Sequence, residues 1–348
     1  MKSVVLGSFA DPLTYVIHHL DSHLTFAQTF QICSLFGRVR ILGFDLQPLT
    51  FYTVSNYRTN SLLAIELKSS STTTTSIEQI QSLIPIDQLA QTAFENVEEK
   101  NGDIILIRQD PTINPFFFRI LREHQFYNQI FSERYPNSQK TPWEQLEKDL
   151  YIRLNETNEQ TTIVPREDFV QTTDHIINRW LNETTNGSFL FLLSFLSHFS
   201  LSIDVPFVVL MCGEKDLGKS TFTRYLVNRA LNHVDSTYNL NYFDCDIGQC
   251  EFTISGCLSF VNIHSPLLGP PCSHIRSNPK PDRFVYYGLN SPQTAPVRYL
   301  QSIDMLRRLW NIDREVDKKK SLVLINTMGW VAGKYCDYRM MMIHYFVV

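Results

Sequence analysis

An α/β fold with a parallel central sheet is predicted for the C-terminal part of this 348-residue chain on three observations. Residues 207–211 (FVVLM) form an apolar run of strand length. Residues 213–220 (GEKDLGKS) read G-x-x-x-x-G-K-S. Phe222, Tyr225, Leu226 and Ala230 then recur at helical spacing. Strand, glycine loop and helix in that order are the setting of a P-loop. The predicted architecture is α/β: a P-loop NTPase-like parallel sheet, incomplete, preceded by a β-rich N-terminal domain and a helical connector. The boundaries fall at 1–115, 116–200 and 201–348.

Composition sets the frame. The chain is 43% hydrophobic and 19% charged, with a net charge of −4. That balance is globular and carries no overall basic field, so a polyanion must be held by a local patch. Seven cysteines lack any C-x-x-C pair, which speaks for reduced thiols and against a zinc site. No signal peptide is evident at the start, and no membrane partner is expected.

Residues 1–115 read as strands. Val39 and Ile41 alternate with Arg38 and Arg40, and Phe44 and Leu46 with Asp45 and Gln47; Gly37, Gly43 and Pro48 punctuate them. Residues 61–67 (SLLAIEL) and 103–107 (DIILI) are further strands, and residues 69–76 (SSSTTTTS) a polar loop. His18, His19 and His23 have no acidic or cysteine partner nearby and are expected to be surface histidines.

Residues 116–200 read as helical. Residues 116–131 are aromatic-rich, and residues 143–154 and 169–181 carry apolar side chains at i, i+3, i+4 steps. Residues 189–199 (FLFLLSFLSHF) are too short to span a bilayer and are expected to be a buried helix.

The C-terminal part carries the chemistry. Backbone N–H groups of Gly213, Glu214, Lys215, Asp216, Leu217, Gly218, Lys219, Ser220 and Thr221 are candidates to cradle nucleotide phosphates. Lys219 is placed to reach the β/γ-phosphates and Ser220 to hold Mg²⁺. A turn is expected at Asn239–Asn241. The next strand ends in Asp244 and Asp246, and a β–α–β crossover is expected to return it beside the first strand. One aspartate would serve Mg²⁺ and the other take a proton from an attacking hydroxyl. Sequence does not decide between them; Asp244 is preferred as base and Asp246 for the metal. Residues 321–326 (SLVLIN) are apolar enough for a central strand.

In this order, the residues DCDIGQ (244–249), EFT (251–253), PLLGPP (266–271), YYG (286–288) and INTMGW (325–330) resemble the polynucleotide 5′-hydroxyl kinases, nearest to their nucleolar, pre-rRNA-processing branch. FGRVRILGF (36–44) and SLLAIE (61–66) are similar to that branch's N-terminal domain. The likeness covers residues 24–67 and 205–333. It implies ATP- and Mg²⁺-dependent phosphorylation of RNA 5′-hydroxyl ends, a nuclear, nucleolar location and a pre-rRNA endonuclease as partner. The family's D-x-D-x-x-Q segment supplies the base and metal environment and falls on Asp244, Asp246 and Gln249. Its T-x-G-W clasp, which helps hold the RNA end, falls on Thr327, Gly329 and Trp330.

The sequence departs from the family at Cys250 and at Ile254-Ser255, and no R-x-x-x-R lid follows Gly333. A C-terminally truncated kinase is therefore expected. Its rival is a catalytically silent nucleotide-binding subunit of an RNA-processing complex. A GTPase is disfavoured by the lack of an N-K-x-D segment.

Overall fold

The computed structural model describes residues 3–10, 13–19, 23–56, 62–67, 103–111, 142–150, 153–155, 162–163, 167–182, 189–191, 206–214, 217–235, 238–275, 279–317 and 319–329. The chain divides into two compact units, Met1–Ile41 with Asp45–Val164, and Leu42–Phe44 with Pro165–Val348. The polar loop at 69–76 and the aromatic run at 116–131 lie outside the described residues.

The first unit is built on strands. β1 (Val4–Ala10), β2 (Leu13–His19), β3 (His23–Phe36), β4 (Val39–Ile41), β5 (Phe44–Asp45), β6 (Tyr52–Asn56), β7 (Leu62–Leu63), β8 (Ile65–Leu67) and β9 (Asp103–Arg108) cover the stretches read as strand. One sheet runs β1-β2-β9-β3-β8-β4-β5, with β6 also on β3. The alternation at Val39 and Ile41 holds: both are buried and Arg40 between them is half-buried. Val16, Cys33, Leu35, Ile104 and Leu106 form one apolar core cluster.

His18 and His19 are not on the surface. β2 lies between β1 and β9, so it is covered along both edges, and the two histidines are 6% and 0% exposed. The Ser3 hydroxyl lies 3.2 Å from Nδ1 of His19.

The described residues of 116–200 are divided between the two units at Val164/Pro165 and include strands as well as helices. α1 (Pro142–Leu150) buries Leu146 and Leu150 one turn apart. The chain then leaves the helix for β10 (Arg153–Asn155), which pairs antiparallel with Ala27–Thr25 of β3. The predicted helix through residue 154 is therefore cut short by strand pairing. β11 (Thr162–Ile163) pairs in parallel with β7. α2 (Glu167–Asn182) forms where its periodicity predicts, but it belongs to the second unit. Its Ile176, Ile177 and Trp180 share a core with the P-loop strand. β12 (Phe189–Phe191) replaces the start of the expected buried helix and pairs in parallel with Val208–Leu210. A short apolar run suits either state, and an available strand edge decides it. Residues 192–199 lie outside the described residues.

The second unit is a mixed six-stranded sheet in the order β12-β13-β17-β14-β15-β16, with helices on both faces. β13 (Phe207–Met211), β14 (Tyr238–Asp244) and β17 (Lys320–Asn326) are parallel; β15 (Cys257–Asn262) runs antiparallel to β14, and β16 (Arg283–Tyr286) antiparallel to β15. α3 (Lys219–Leu231) packs Leu226, Val227 and Ala230 on one face, next to α2. A short α4 (Pro271–His274) follows β15. α5 (Pro296–Asp317) covers the opposite face with Tyr299, Leu300, Ile303, Leu306 and Trp310, a run of i, i+3, i+4 spacings. This is the predicted α/β P-loop architecture.

Two local expectations are corrected. Asn239–Asn241 is strand, not turn: Asn241 pairs with Val323 on one side and Asn262 on the other. Two-sided pairing overrides the turn preference of asparagine. β14 also does not return beside β13. β17 lies between them, in register with both, and its Leu322 to Ile325 are at most 1% exposed. The central position read for residues 321–326 is thereby met. Among the described residues no helix is long and apolar enough to cross a membrane.

The central position of β17 makes its packing measurable. Leu324→Ala should cost about 2–5 kcal/mol by cavity formation. Met305→Ala, at a position 54% exposed on α5, should stay within about 0.5 kcal/mol. Urea unfolding of both variants tests the difference.

Candidate nucleotide and phosphoryl-transfer site

The phosphate-binding geometry follows from local sequence. β13 is buried along its whole length and ends at Met211, where the chain enters the glycine loop. Gly213 has φ of 153°, a backbone conformation side chains rarely adopt, and the stem of Lys219 packs against it. Gly218 has φ of 81° and occupies the N-cap of α3 with no side-chain cap. Only glycine adopts that conformation freely. The first helical bond runs from the Phe222 N–H to the Gly218 carbonyl at 2.9 Å. The amides of Lys219, Ser220 and Thr221 precede it in the first turn, where a helix has no internal acceptor to offer. With the helix dipole, these amides attract anions. The Lys219 ammonium donates to the Glu214 carbonyl at 2.8 Å, which holds it over the loop. Lys215 and Asp216 lie outside the described residues.

The acid segment is placed by β14. Asp244 ends the strand and pairs with Asn326 of β17. It is 1% exposed, and its carboxylate accepts from the Glu251 N–H at 2.5 Å and the Asn326 side-chain amide at 3.2 Å. Burial pushes its carboxyl up to about 8, against the pull of the Glu251 N–H. Asp246 lies two residues beyond, in the loop. Its Oδ1 accepts from the N–H groups of Gly248 and Gln249, both at 3.1 Å. Burial raises its carboxyl, while those two amides and the Lys219 charge draw it down. The loop is pinned from behind, since the Tyr299 hydroxyl of α5 donates to the Cys245 carbonyl at 2.6 Å. The Gly256 N–H closes it on the Ile247 carbonyl at 2.8 Å.

Glu251 joins the acid loop to the P-loop helix. It is 1% exposed, with Nδ1 of His274 2.7 Å from its Oε1 and Nε of Arg224 at 4.0 Å. Burial alone would raise its carboxyl, but Arg224 and the His274 contact hold it below the usual range. Arg224 in turn donates to the Ser220 carbonyl in the first turn of α3 and to the Gly269 carbonyl, each at 3.1 Å.

These elements enclose a cavity of about 530 Å³, lined by Gly218, Lys219, Ser220, Thr221, Asp246, Gly248, Gln249, Asn290, Met328 and Gly329. That volume is ordinary for a small-molecule site. Of the residues read from sequence, Gly218, Lys219, Ser220, Thr221, Asp246, Gln249 and Gly329 therefore meet in one place. Asp244 does not line it, although sequence preferred it as base. Its carboxylate is spent on Glu251 and Asn326. Thr327 is also turned away: it is 2% exposed and its hydroxyl donates to the Met211 carbonyl at 2.6 Å, tying the end of β17 to the end of β13. Trp330 lies outside the described residues. Asn290 and Met328 were not singled out from sequence. Met328 sits inside the quoted INTMGW run, while nothing in the residues around Asn290 marks it.

The residues present suit a nucleotide triphosphate with Mg²⁺. First-turn amides and the Lys219 ammonium suit phosphate oxygens, while the Ser220 hydroxyl and the Asp246 carboxylate on the same space are oxygen ligands of the kind a phosphate-bound divalent cation takes.

Comparison with known proteins agrees with the motif reading. Residues 213–348 match the family described as mRNA cleavage and polyadenylation factor CLP1 P-loop. The chain is 45% identical over 141 residues to polynucleotide 5′-hydroxyl-kinase NOL9 of Danio rerio, 40% of this chain and 18% of that protein. It is 42% identical over 127 residues to the Homo sapiens protein of that name, 36% of this chain and 16% of that protein. The Dictyostelium discoideum polynucleotide 5′-hydroxyl-kinase nol9 aligns over 338 residues at 28% identity, 95% of this chain and 44% of that protein. The chain thus spans less than half the length of these relatives. A solved wild-type Clp1p–Pcf11p complex superposes with a TM-score of 0.49 at 11% identity, covering 99% of this chain and 60% of that one. That likeness is weak, and the fold stands on the strand order itself.

The Asp244 environment has a pH signature. A carboxyl raised to about 8 binds its proton more tightly folded than unfolded, so it stabilises fully below about pH 4 and the effect is lost as pH rises through 8. Wild-type chain should therefore lose more thermal stability between pH 6 and pH 8.5 than Asp244→Asn, measured by calorimetry of both. Residues 213–348 thus match the CLP1 P-loop family model, and the chain is similar to the polynucleotide 5′-hydroxyl kinases over part of their length.

Proposed function

We propose that this chain is an ATP-dependent polynucleotide 5′-hydroxyl kinase acting on RNA ends. The observation that carries this reading is the single cavity shared by the first turn of α3, Lys219, Ser220 and Asp246. Amides of the glycine loop and first turn bind the triphosphate, and the Lys219 ammonium leaves the Glu214 carbonyl for a phosphate oxygen. Mg²⁺, held by the Ser220 hydroxyl and by Asp246 directly or through water, would supply charge neutralisation between the phosphates.

Asp246 is the acidic group facing the substrate. Two amides hold its Oδ1, which leaves Oδ2 directed to the RNA hydroxyl to take its proton as the phosphoryl group transfers. Asp244 acts at one remove, fixing the loop through Glu251 and Asn326. Gln249 and Gly329 contact the RNA end, with Trp330 stacking its terminal base. The nucleolar branch of the resemblance supports a role in pre-rRNA processing in the nucleolus, beside a pre-rRNA endonuclease.

Lys219→Ala should weaken binding of a fluorescent ATP analogue by about tenfold or more and abolish γ-phosphoryl transfer to a 5′-hydroxyl RNA. Asp246→Asn should keep most nucleotide affinity while losing transfer. Nucleotide binding unaffected by Lys219→Ala would overturn the assignment.

A further inference from the structure

β16 is the last strand in the order of the six-stranded sheet among the described residues, and its side chains are unusual for a strand so near a site. Phe284 is 64% exposed and Tyr286 is 70% exposed, while Val285 between them packs into the core beneath α5. Side chains of a strand alternate, so both aromatic rings leave on the face away from α5. Their register partners on β15, Ser259 and Cys257, are buried. Large apolar side chains exposed in a row mark a binding surface when they form a patch.

The patch leads to the cavity. From Tyr286 the chain needs four residues to reach Asn290, which lines it. Gly288 turns that connection with φ of 84°, a backbone conformation that favours glycine. Leu289, exposed at 38%, lies on that connection directly before Asn290.

We infer that Phe284 and Tyr286 form a stacking platform for single-stranded RNA, receiving the bases that follow the 5′-terminal nucleotide held in the cavity. This rests on the kinase reading above and adds where the body of the substrate runs. Residues i and i+2 of a strand are about 6.6 Å apart, close to the reach of one extended nucleotide, so successive bases meet successive rings. Stacking is blind to base identity, so this surface selects single strands over paired ends and not one sequence over another.

Fluorescence anisotropy on the full 348-residue chain tests it, with 5′-hydroxyl oligouridylates of two and eight nucleotides. The octamer should bind more tightly than the dimer. Phe284→Ala and Tyr286→Ala should each weaken octamer binding about tenfold and leave the dimer unchanged, and Tyr286→Phe should retain wild-type affinity. Equal affinity for both lengths, no RNA binding, or alanine variants that bind like wild type would each overturn the platform. So would a dimer in sedimentation that the alanine variants dissociate without loss of RNA affinity. A fluorescent ATP analogue is titrated in parallel: normal nucleotide binding with a failed RNA arm rejects the platform alone, whereas failed nucleotide binding rejects the kinase reading.

Discussion

The site depends on the parallel alignment of β13, β17 and β14. Because all three run the same way in register, their carboxyl ends emerge along one rim: Met211, Asn326 and Asp244 are consecutive neighbours across the sheet. Each then does something different at that rim. β13 opens into the glycine loop, β14 into the acid loop, and β17 into Met328 and Gly329. The Thr327 hydroxyl on the Met211 carbonyl and the Cys245 N–H on the Asn326 carbonyl, at 3.0 Å, lock the three exits together. A cavity between loops this firmly anchored needs little reorganisation to accept a ligand, which is the condition for electrostatic stabilisation of a transferring phosphoryl group.

Much of this was legible in the residues, and what was not has physical causes. The P-loop reads clearly because glycine at 213 and 218 is required by backbone conformation, and conformation of that kind leaves a direct trace in sequence. β17 also reads clearly, being buried on both faces and so continuously apolar. Its insertion between β13 and β14 leaves no such trace, since its pairing partners lie 82 and 115 residues away (Asp244 and Met211 from Asn326) and are chosen by shape and register. The helix-or-strand errors at 153–155 and 189–191 share one origin. Both stretches are short, and each took the state that a free strand edge offered. Asn241 shows the same force from the other side, a turn-former held in a strand by two neighbours.

The roles of the aspartates illustrate a further limit. Spacing alone made Asp244 and Asp246 equivalent, two carboxylates at a strand end. The strand in fact stops at Asp244, so the two do not share a strand face. One points into a hydrogen-bonded interior and one into the cavity. Thr327 was read with the clasp, yet its hydroxyl serves β13 instead. In each case the difference lies in what the side chain touches, and the contacting partners sit on elements distant in sequence.

A pocket for a polyanion that is backed by three carboxylates requires an account of its charge. Asp244, Asp246 and Glu251 would together repel a triphosphate if all were ionised and unscreened. The structure distributes the burden. Burial holds Asp244 near neutrality, with a carboxyl at about 8. Glu251 is kept charged, but Arg224 and His274 stand against it, so little of that charge reaches the cavity. Asp246 is the carboxylate among the cavity-lining residues, together with Lys219 and the first turn of α3. Under the proposed reaction this leaves one acidic group to take a proton, with an ammonium and helix-turn amides lining the same space. Arg224 adds a mechanical link, since the guanidinium that screens Glu251 also grips the Ser220 carbonyl. The acid loop and the phosphate-binding turn are therefore set relative to each other by the same ion that balances their charge.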